Sequence, residues 1–482
     1  MLQTPVQAQE TIVVGGENTP ENVLPDTLVI PEPEFEFDFA VDLGMSRIEN
    51  SVGKKEQFFA TALMPEFYYG EYSAGLLLKM HLRLQGGSTR KEDYDSFNDF
   101  LSIIRFVQFA EKGVDGYYGR FGELEETTLG FGQFINLFNN SISLDDQKRG
   151  FEVNYRTKDF LVEGIYSNLL APEVFGLRGA YFPLTSDPVS RYRLVSFGVS
   201  LAGDLGNKGT LVNVEIPGAP FLVDALTDDN GIRTAVGNDD GKLLMGGFDA
   251  SMPIFLSPTS TGLAYAEVSK IFGHGMGIGA GITGNWDLPD EGLRLEIQFE
   301  QRFMGKAFIP NYFNSLYEAL RLQTLGIPVD GDDDVEALNT RRNILTAQTK
   351  RRFGSYFTMA WRYKRMWKFR WSFENAWNVK DSAWIHADVR VKSRELPVYL
   401  RLRFDQLRTA SQEELITTGN NLNFFRLETA VRVMSMLMLG VGVRNSFEAD
   451  FHEGIPIGLK KRRRIEPKFV LIFPPQKKKP AG

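Results

Sequence analysis

Cysteine is absent from all 482 residues, which removes disulfides, thiol catalysis and thiolate metal sites together. Histidine occurs four times. His81 and His386 fall within alternating strand segments, His274 opens a glycine run, and His452 falls in an expected loop. No Ser/His/acid arrangement and no metal constellation can be assembled from them, so no enzyme activity, metal or cofactor is assigned. Apolar runs are short. No stretch reaches the roughly 18 residues of a membrane-spanning helix. Aspartate-rich Asp330–Asp334 lacks the Gly and Glu that a calcium loop needs at its sixth and twelfth positions, held here by Val335 and Arg341.

What the chain does have is alternation. Phe357, Met359, Trp361 and Tyr363 share one parity, and Thr358, Ala360, Arg362 and Lys364 share the other. Trp367, Phe369, Trp371 and Phe373 repeat this against Lys368, Arg370, Ser372 and Glu374. Ile385–Val391 and Val398–Phe404 follow in the same style. A period of two means strands, since successive side chains point to opposite faces. Four strands within Gly354–Asp405, joined by short links, make an up-and-down meander. Strands follow Phe35–Leu43 in the same pattern along most of the chain.

The expected strands run about 10–14 residues, longer than the usual five or six and enough for a tilted strand to cross a bilayer. The fold class expected is all-β, an antiparallel up-and-down transmembrane β-barrel with its apolar side to lipid. Between 18 and 20 candidate strands are visible, and barrels of this kind favour even counts. The expectation is about 18, with 16 and 20 open. Residues 113–150 break the rhythm with Gly116–Gly122 and Leu129–Asn136, which suits a constriction segment folded into the lumen or an irregular strand pair. The alternating glycines Gly273–Gly281 leave a bare face for an inserted segment. Residues 310–350 read as a helical insertion, with helices over Asn311–Leu325 and Val335–Lys350.

The ends are distinct from the barrel, expected over 34–473. Val6-Gln7-Ala8 resembles a signal-peptidase site, which makes 1–8 a signal-peptide remnant. Residues 9–33 read as a flexible periplasmic tail, and 474–482 as a C-terminal tail. Within the first tail, Glu10-Thr11-Ile12-Val13-Val14 resembles the energy-coupling box of TonB-dependent transporters, and Asp26-Thr27-Leu28-Val29-Ile30 is a second version. The resemblance implies strand addition to a periplasmic energy-coupling partner; a plain linker is the competing reading. Lys468-Phe469-Val470-Leu471-Ile472-Phe473 resembles the closing-strand signal of Gram-negative outer-membrane barrels, which implies an outer-membrane location with both termini periplasmic.

Charge is unevenly placed. From Arg351 onward there are 26 Lys+Arg against 12 Asp+Glu, or +14, so with a net charge of −7 residues 1–350 carry −21. By parity, Arg362, Lys364, Lys368, Arg370, Arg390, Lys392, Arg401, Arg403, Arg426, Arg432 and Arg444 share the lumen with Glu374, Asp388, Asp405 and Glu428. Such ladders of basic residues favour anions; charges that only solvate and cross-link the interior are the alternative. Lys460, Lys461, Arg462, Arg463 and Arg464 fall in an expected extracellular hairpin loop, where they would clamp lipopolysaccharide phosphates; nucleic acid is not an expected partner. Two functions follow: a transport barrel with an electropositive, partly filled lumen, coupled through its tail, or a structural or adaptor barrel anchoring an envelope-spanning or cell-surface complex.

Overall fold

The computed structural model describes residues 35–49, 55–206 and 242–472, apart from 91–92, 95–96, 114–115, 143–147, 188, 289, 321–323, 330–331, 339–344, 346–348, 365, 379–381, 393–395, 410–422, 436 and 453–454. Both coupling-box segments and the two tails lie outside them.

The first strands are β1 (Phe35–Glu49), β2 (Lys55–Tyr69), β3 (Tyr72–Leu76), β4 (Leu78–Arg83), β5 (Ile104–Phe109) and β6 (Tyr117–Gly122). Next come β7 (Gly150–Arg156), β8 (Phe160–Tyr166), β9 (Val174–Tyr181), β10 (Ser196–Asp204), β11 (Leu243–Leu256), β12 (Ser260–Ile271), β13 (Met276–Leu288) and β14 (Leu293–Met304). A separate hairpin, β15 (Thr324–Val329) and β16 (Asp332–Leu338), precedes the last group. That group is β17 (Arg352–Tyr363), β18 (Trp367–Ala376), β19 (Ala383–Val391), β20 (Val398–Thr409), β21 (Asn423–Arg432), β22 (Leu437–His452) and β23 (Ile455–Ile472).

Around the ring each strand pairs antiparallel with the next, β3 passing directly to β5 and β14 to β17, and Asp38–Asp42 of β1 pairs with Lys468–Ile472 of β23 to close it. The cycle holds 20 strands; β4 lies outside it, paired with β2 alone, after an interruption at buried Leu77. The expectation of about 18 is therefore corrected to 20. Tyr117–Gly122 is a strand that Gly119 and Gly122 conceal, because a glycine contributes no apolar or polar mark to the alternation.

The barrel is inside out relative to a soluble protein. Arg178 on β9 is 4% exposed while its neighbour Leu177 is 53% exposed. On β17, Tyr356, Thr358 and Ala360 are buried, and Trp361 and Phe353 are exposed. Val199, Phe248, Met252, Ile278, Ile282 and Phe299 extend this outward apolar belt around the wall. Aromatics gather where the belt meets water: Tyr72 packs on Phe109 at 4.8 Å, Phe109 on Tyr117 at 5.0 Å and Trp361 on Trp367 at 5.4 Å. Amphipathic rings favour that level of a bilayer.

The two ends differ. The end that holds Phe35 and Ile472 is closed mostly by tight turns such as 70–71, 157–159 and 257–259. The other end carries the long connections 84–103, 123–149, 205–242, 305–351 and 410–422.

The helical insertion expected at 310–350 is not confirmed, and 321–323, 339–344 and 346–348 of its two expected helices lie outside the described residues. Among the described residues there is one helical turn, Tyr317–Leu320, and then the β15–β16 hairpin, with Val329 facing Asp332. Asp330-Gly331 is a strong hairpin dipeptide, and it outweighs the helix-forming residues around it. The basic pentad Lys460–Arg464 also differs from expectation: its backbone belongs to β23, opposite Arg444–Glu448 of β22, and not to a loop.

Candidate functional site

Two of the long connections turn into the lumen. Leu124, Leu129, Phe134, Ile135 and Phe138 of the first meet Phe308, Tyr312, Phe313, Tyr317 and Leu345 of the second in one buried apolar cluster. The wall supplies Val174, Ala202, Met245 and Ile271 to it. Ile135 and Phe313 form a parallel bridge, Phe313 N–H donates to Phe134 O at 2.9 Å, and Asn136 N–H donates to Phe313 O at 3.1 Å. The two segments therefore fold as one plug.

Glycines of β13 make room for it. A Cβ on Gly277 would lie 2.3 Å from the Phe308 ring, and one on Gly279 would lie 2.1 Å from Gln133 Nε2. The bare face expected from the glycine run is where both segments dock. Polar latches complete the seat: Lys148 Nζ lies 2.6 Å from Glu173 and 2.5 Å from Glu318, and Tyr317 donates to Asp204 at 2.6 Å. Arg178 donates to Asp249 at 2.9 and 2.7 Å and to Glu163 at 2.8 Å, while Phe131 stacks on Tyr265 at 3.9 Å.

The plug fills the side of the lumen against β9–β14. Across from it lies a cavity of about 470 Å³ walled chiefly by β1, β2 and β19–β22. Eleven Lys/Arg and eight Asp/Glu line it.

Of the expected luminal residues, Arg390, Lys392, Arg401, Arg403 and Arg426 line this cavity, together with Arg444 and Glu428. Lys368 and Arg370 turn to the plug instead, 2.6 and 3.0 Å from Glu126. Arg362 reaches Glu111 at 3.3 Å. Glu374 meets Arg302 at 3.0 Å, Asp388 meets Arg390 at 2.9 Å, and Asp405 meets Arg403 at 3.0 Å and His386 at 2.6 Å. Lys364 is not brought in: it is exposed in the turn after β17. Arg432 ends β21 and does not line the cavity. The side chains of the Lys460–Arg464 pentad lie outside the described residues.

Parity alone misses Glu125 and Glu126, which answer this wall from the plug. Glu125 on the plug accepts from Arg390 at 2.9 Å and from Arg401 at 2.7 Å. Lys392 bridges Asp38 at 2.7 Å and Glu66 at 2.8 Å, and Lys468 bridges Asp42 and Glu428 at 3.2 and 2.8 Å. Burial by itself would raise the Glu125 and Glu126 carboxyls; Arg390 and Arg401 at the first, and Lys368 and Arg370 at the second, hold both well below the usual carboxylate range. The run Glu123-Leu124-Glu125-Glu126 beside a glycine-rich break was the available signal.

A closed ring of strands with an outward apolar belt and a charged interior decides the class. The chain is an outer-membrane-type β-barrel. No family model and no curated protein matches it. Similar solved structures include Pseudomonas aeruginosa OccK11 (OpdR), at 9% identity over 92% of this chain and 98% of that one, TM-score 0.27. The ferric enterobactin receptor PfeA of Pseudomonas aeruginosa is 9% identical over 91% and 81%, TM-score 0.30. Wzi of Escherichia coli, described as a carbohydrate-binding outer-membrane barrel involved in capsule assembly, is 11% identical over 92% and 85%, TM-score 0.28. At TM-scores this low they carry no weight beside the barrel's own closure and polarity.

Proposed function

We propose that this barrel serves in transport, as a pore for polar solutes through the half of the lumen that the plug leaves free. The observation that carries the reading is the cavity of about 470 Å³ with charged walls on the side of the lumen away from the plug. The excess of basic over acidic lining residues supports a preference for anions, more modest than an unanswered arginine wall would give. The test is conductance of the purified barrel in a planar bilayer, with reversal potential under a salt gradient. Anion-selective steps whose reversal potential moves toward zero in Arg401→Gln/Arg403→Gln are expected. Silence, repeated after removal of the plug's 305–351 connection, would overturn it.

A second reading, a sealed adaptor barrel anchoring an envelope or surface assembly, is favoured by Glu125, which ties Arg390 and Arg401 of the wall to the plug. Pull-down of a stable envelope partner by a non-conducting barrel would establish it.

The placement of long connections at one end and of Phe35 and Ile472 at the other supports periplasmic termini. In that orientation Glu10–Val14 and Asp26–Ile30 serve as strand-adding segments for a periplasmic partner, and the Lys460–Arg464 pentad, near the opposite rim, meets lipopolysaccharide phosphate.

A further inference from the structure

The stacked rings of Tyr72, Phe109 and Tyr117 mark where the apolar belt begins at the end that holds Phe35 and Ile472. From that level β5 rises only six residues to Ile104 and β6 six residues to Gly122, whereas β1 and β2 run fifteen. Six residues cover about 20 Å along a strand, and strand tilt leaves that short of an apolar band of about 25 Å. The wall is low here, and its ladder is interrupted as well. Leu77 N–H donates to Ile103 O at 2.7 Å. Above that bond β4 stays with β2 and, among the described residues, meets no ring strand on its other edge.

What stands on β5 at this level is a short helix, α1 (Phe97–Ser102), joined to the strand through Ile103. Residues three apart share a helix face. Asp99 and Ser102 line the cavity, while Phe97 and Phe100, on the other face, are 70% and 56% exposed. That is the polarity of the barrel wall itself, polar to the lumen and apolar outward. Leu78 and Met80 of β4 are exposed in the same way, so the apolar belt continues onto α1. Side contacts, not a ladder, hold the helix in place. Arg149 Nη2 donates to Ser102 O at 2.6 Å, and Tyr94, which packs on Phe100 at 6.2 Å, donates to Lys79 O of β4 at 2.6 Å. No backbone hydrogen bond among the described residues joins α1 to β4. Behind α1 the cavity sets Leu77, Phe106 and Ile142 beside Lys79, His81 and Arg105.

We propose that α1 is a displaceable panel of the wall, a lateral portal by which a single-chain amphiphile, one acyl chain with a polar head, passes between the bilayer and the cavity. The head meets the charged lining, and the chain runs along Leu77, Phe106 and Ile142 and out past Phe97 and Phe100. Displacing α1 breaks no ladder, whereas parting two ring strands would forfeit every hydrogen bond between them in a medium that offers no replacement. The gap left by one six-residue helix suits one chain and excludes a pair. The proposal rests on the transport reading for the use of the cavity, and replaces passage along the barrel axis with passage through its side.

The experiment places the full chain in phosphatidylcholine nanodiscs with a single bimane-labelled cysteine, which the cysteine-free sequence allows. Bimane at Phe97→Cys or Phe100→Cys should be quenched by phosphatidylcholine that carries a nitroxide on one acyl chain. Bimane at Ser102→Cys, on the cavity face, should be quenched several-fold more by stearate with a nitroxide beside its carboxylate than by that phosphatidylcholine, and unlabelled oleate should reverse the effect. Asp99→Cys takes its place if the Ser102→Cys barrel does not fold. No lipid quenching at either outward position overturns the proposal, because α1 would then lie outside the belt. Equal quenching by stearate and phosphatidylcholine at the cavity face, or quenching that oleate does not reverse, overturns it too. Oleate-reversible quenching in a barrel that does not conduct would remove the axial pore and leave the portal; conductance without such quenching would do the reverse.

Discussion

At the scale of single residues, the decisive groups are carboxylates that parity could not place. Glu126 sits buried on the plug with Lys368 and Arg370 at 2.6 and 3.0 Å. Buried ion pairs contribute little net stability, but removing one partner strands the other's charge, at a cost of about 3–5 kcal/mol. Glu126→Ala should therefore lower the barrel's stability by roughly that much, read from denaturant unfolding in detergent. An unchanged midpoint would mean that Lys368 and Arg370 find other acceptors. Protonation tests the same contacts. The carboxyls of Glu125 and Glu126 titrate well below their ordinary range in the folded barrel. Their contribution is thus complete above the unfolded glutamate value of about 4.3 and fades as pH falls through the lower folded values. Amide hydrogen exchange within 123–149, corrected for its intrinsic pH dependence, should lose protection only in acid below about pH 4; loss of protection between pH 7 and 5 would contradict the assignment.

At the scale of elements, β13 and the plug are fitted to one another. Gly277 and Gly279 are the points of closest approach, and a side chain at either would enter Phe308 or Gln133. Gly277→Val should cost about 1–3 kcal/mol by overpacking and displace Phe308, with a fall in the thermal midpoint and a rise in conductance. Ala280→Val, on the exposed face of the same strand, should change neither by a comparable amount. The inward glycine face was legible from spacing alone. The β15–β16 hairpin was not, because Glu318–Leu325 and Val335–Lys350 are rich in residues that also suit helices, and propensity yields to turn chemistry and tertiary packing.

For the whole molecule, the predictions concern what crosses the barrel and what its tail does. Deletion of residues 9–33 should leave the unfolding midpoint of the barrel unchanged, since ring closure uses Asp38–Asp42 and Lys468–Ile472. The same deletion should abolish capture of a periplasmic partner in a pull-down. Capture that survives the deletion would assign the partner to another surface. The ring itself supports the class without help from likeness: each of the twenty strands has a partner on both sides, and closure of that kind is what lets a sheet cross lipid with its backbone polar groups satisfied.

Alternation determined the strands, their lipid-facing side and the barrel class, because parity is a local property that every strand expresses by itself. The break at Leu129–Asn136 also marked where the chain leaves the wall, whereas Gly116–Gly122 and Gly273–Gly281 interrupt the pattern at strands β6 and β13 that stay in it. The strand total, the hairpin at Thr324–Leu338 and the partner of every luminal charge were decided in three dimensions. Glu125 and Arg401 are 276 residues apart and meet at 2.7 Å. Pairing of that kind depends on closure of the ring and on where the plug descends, and neither is written in any one strand.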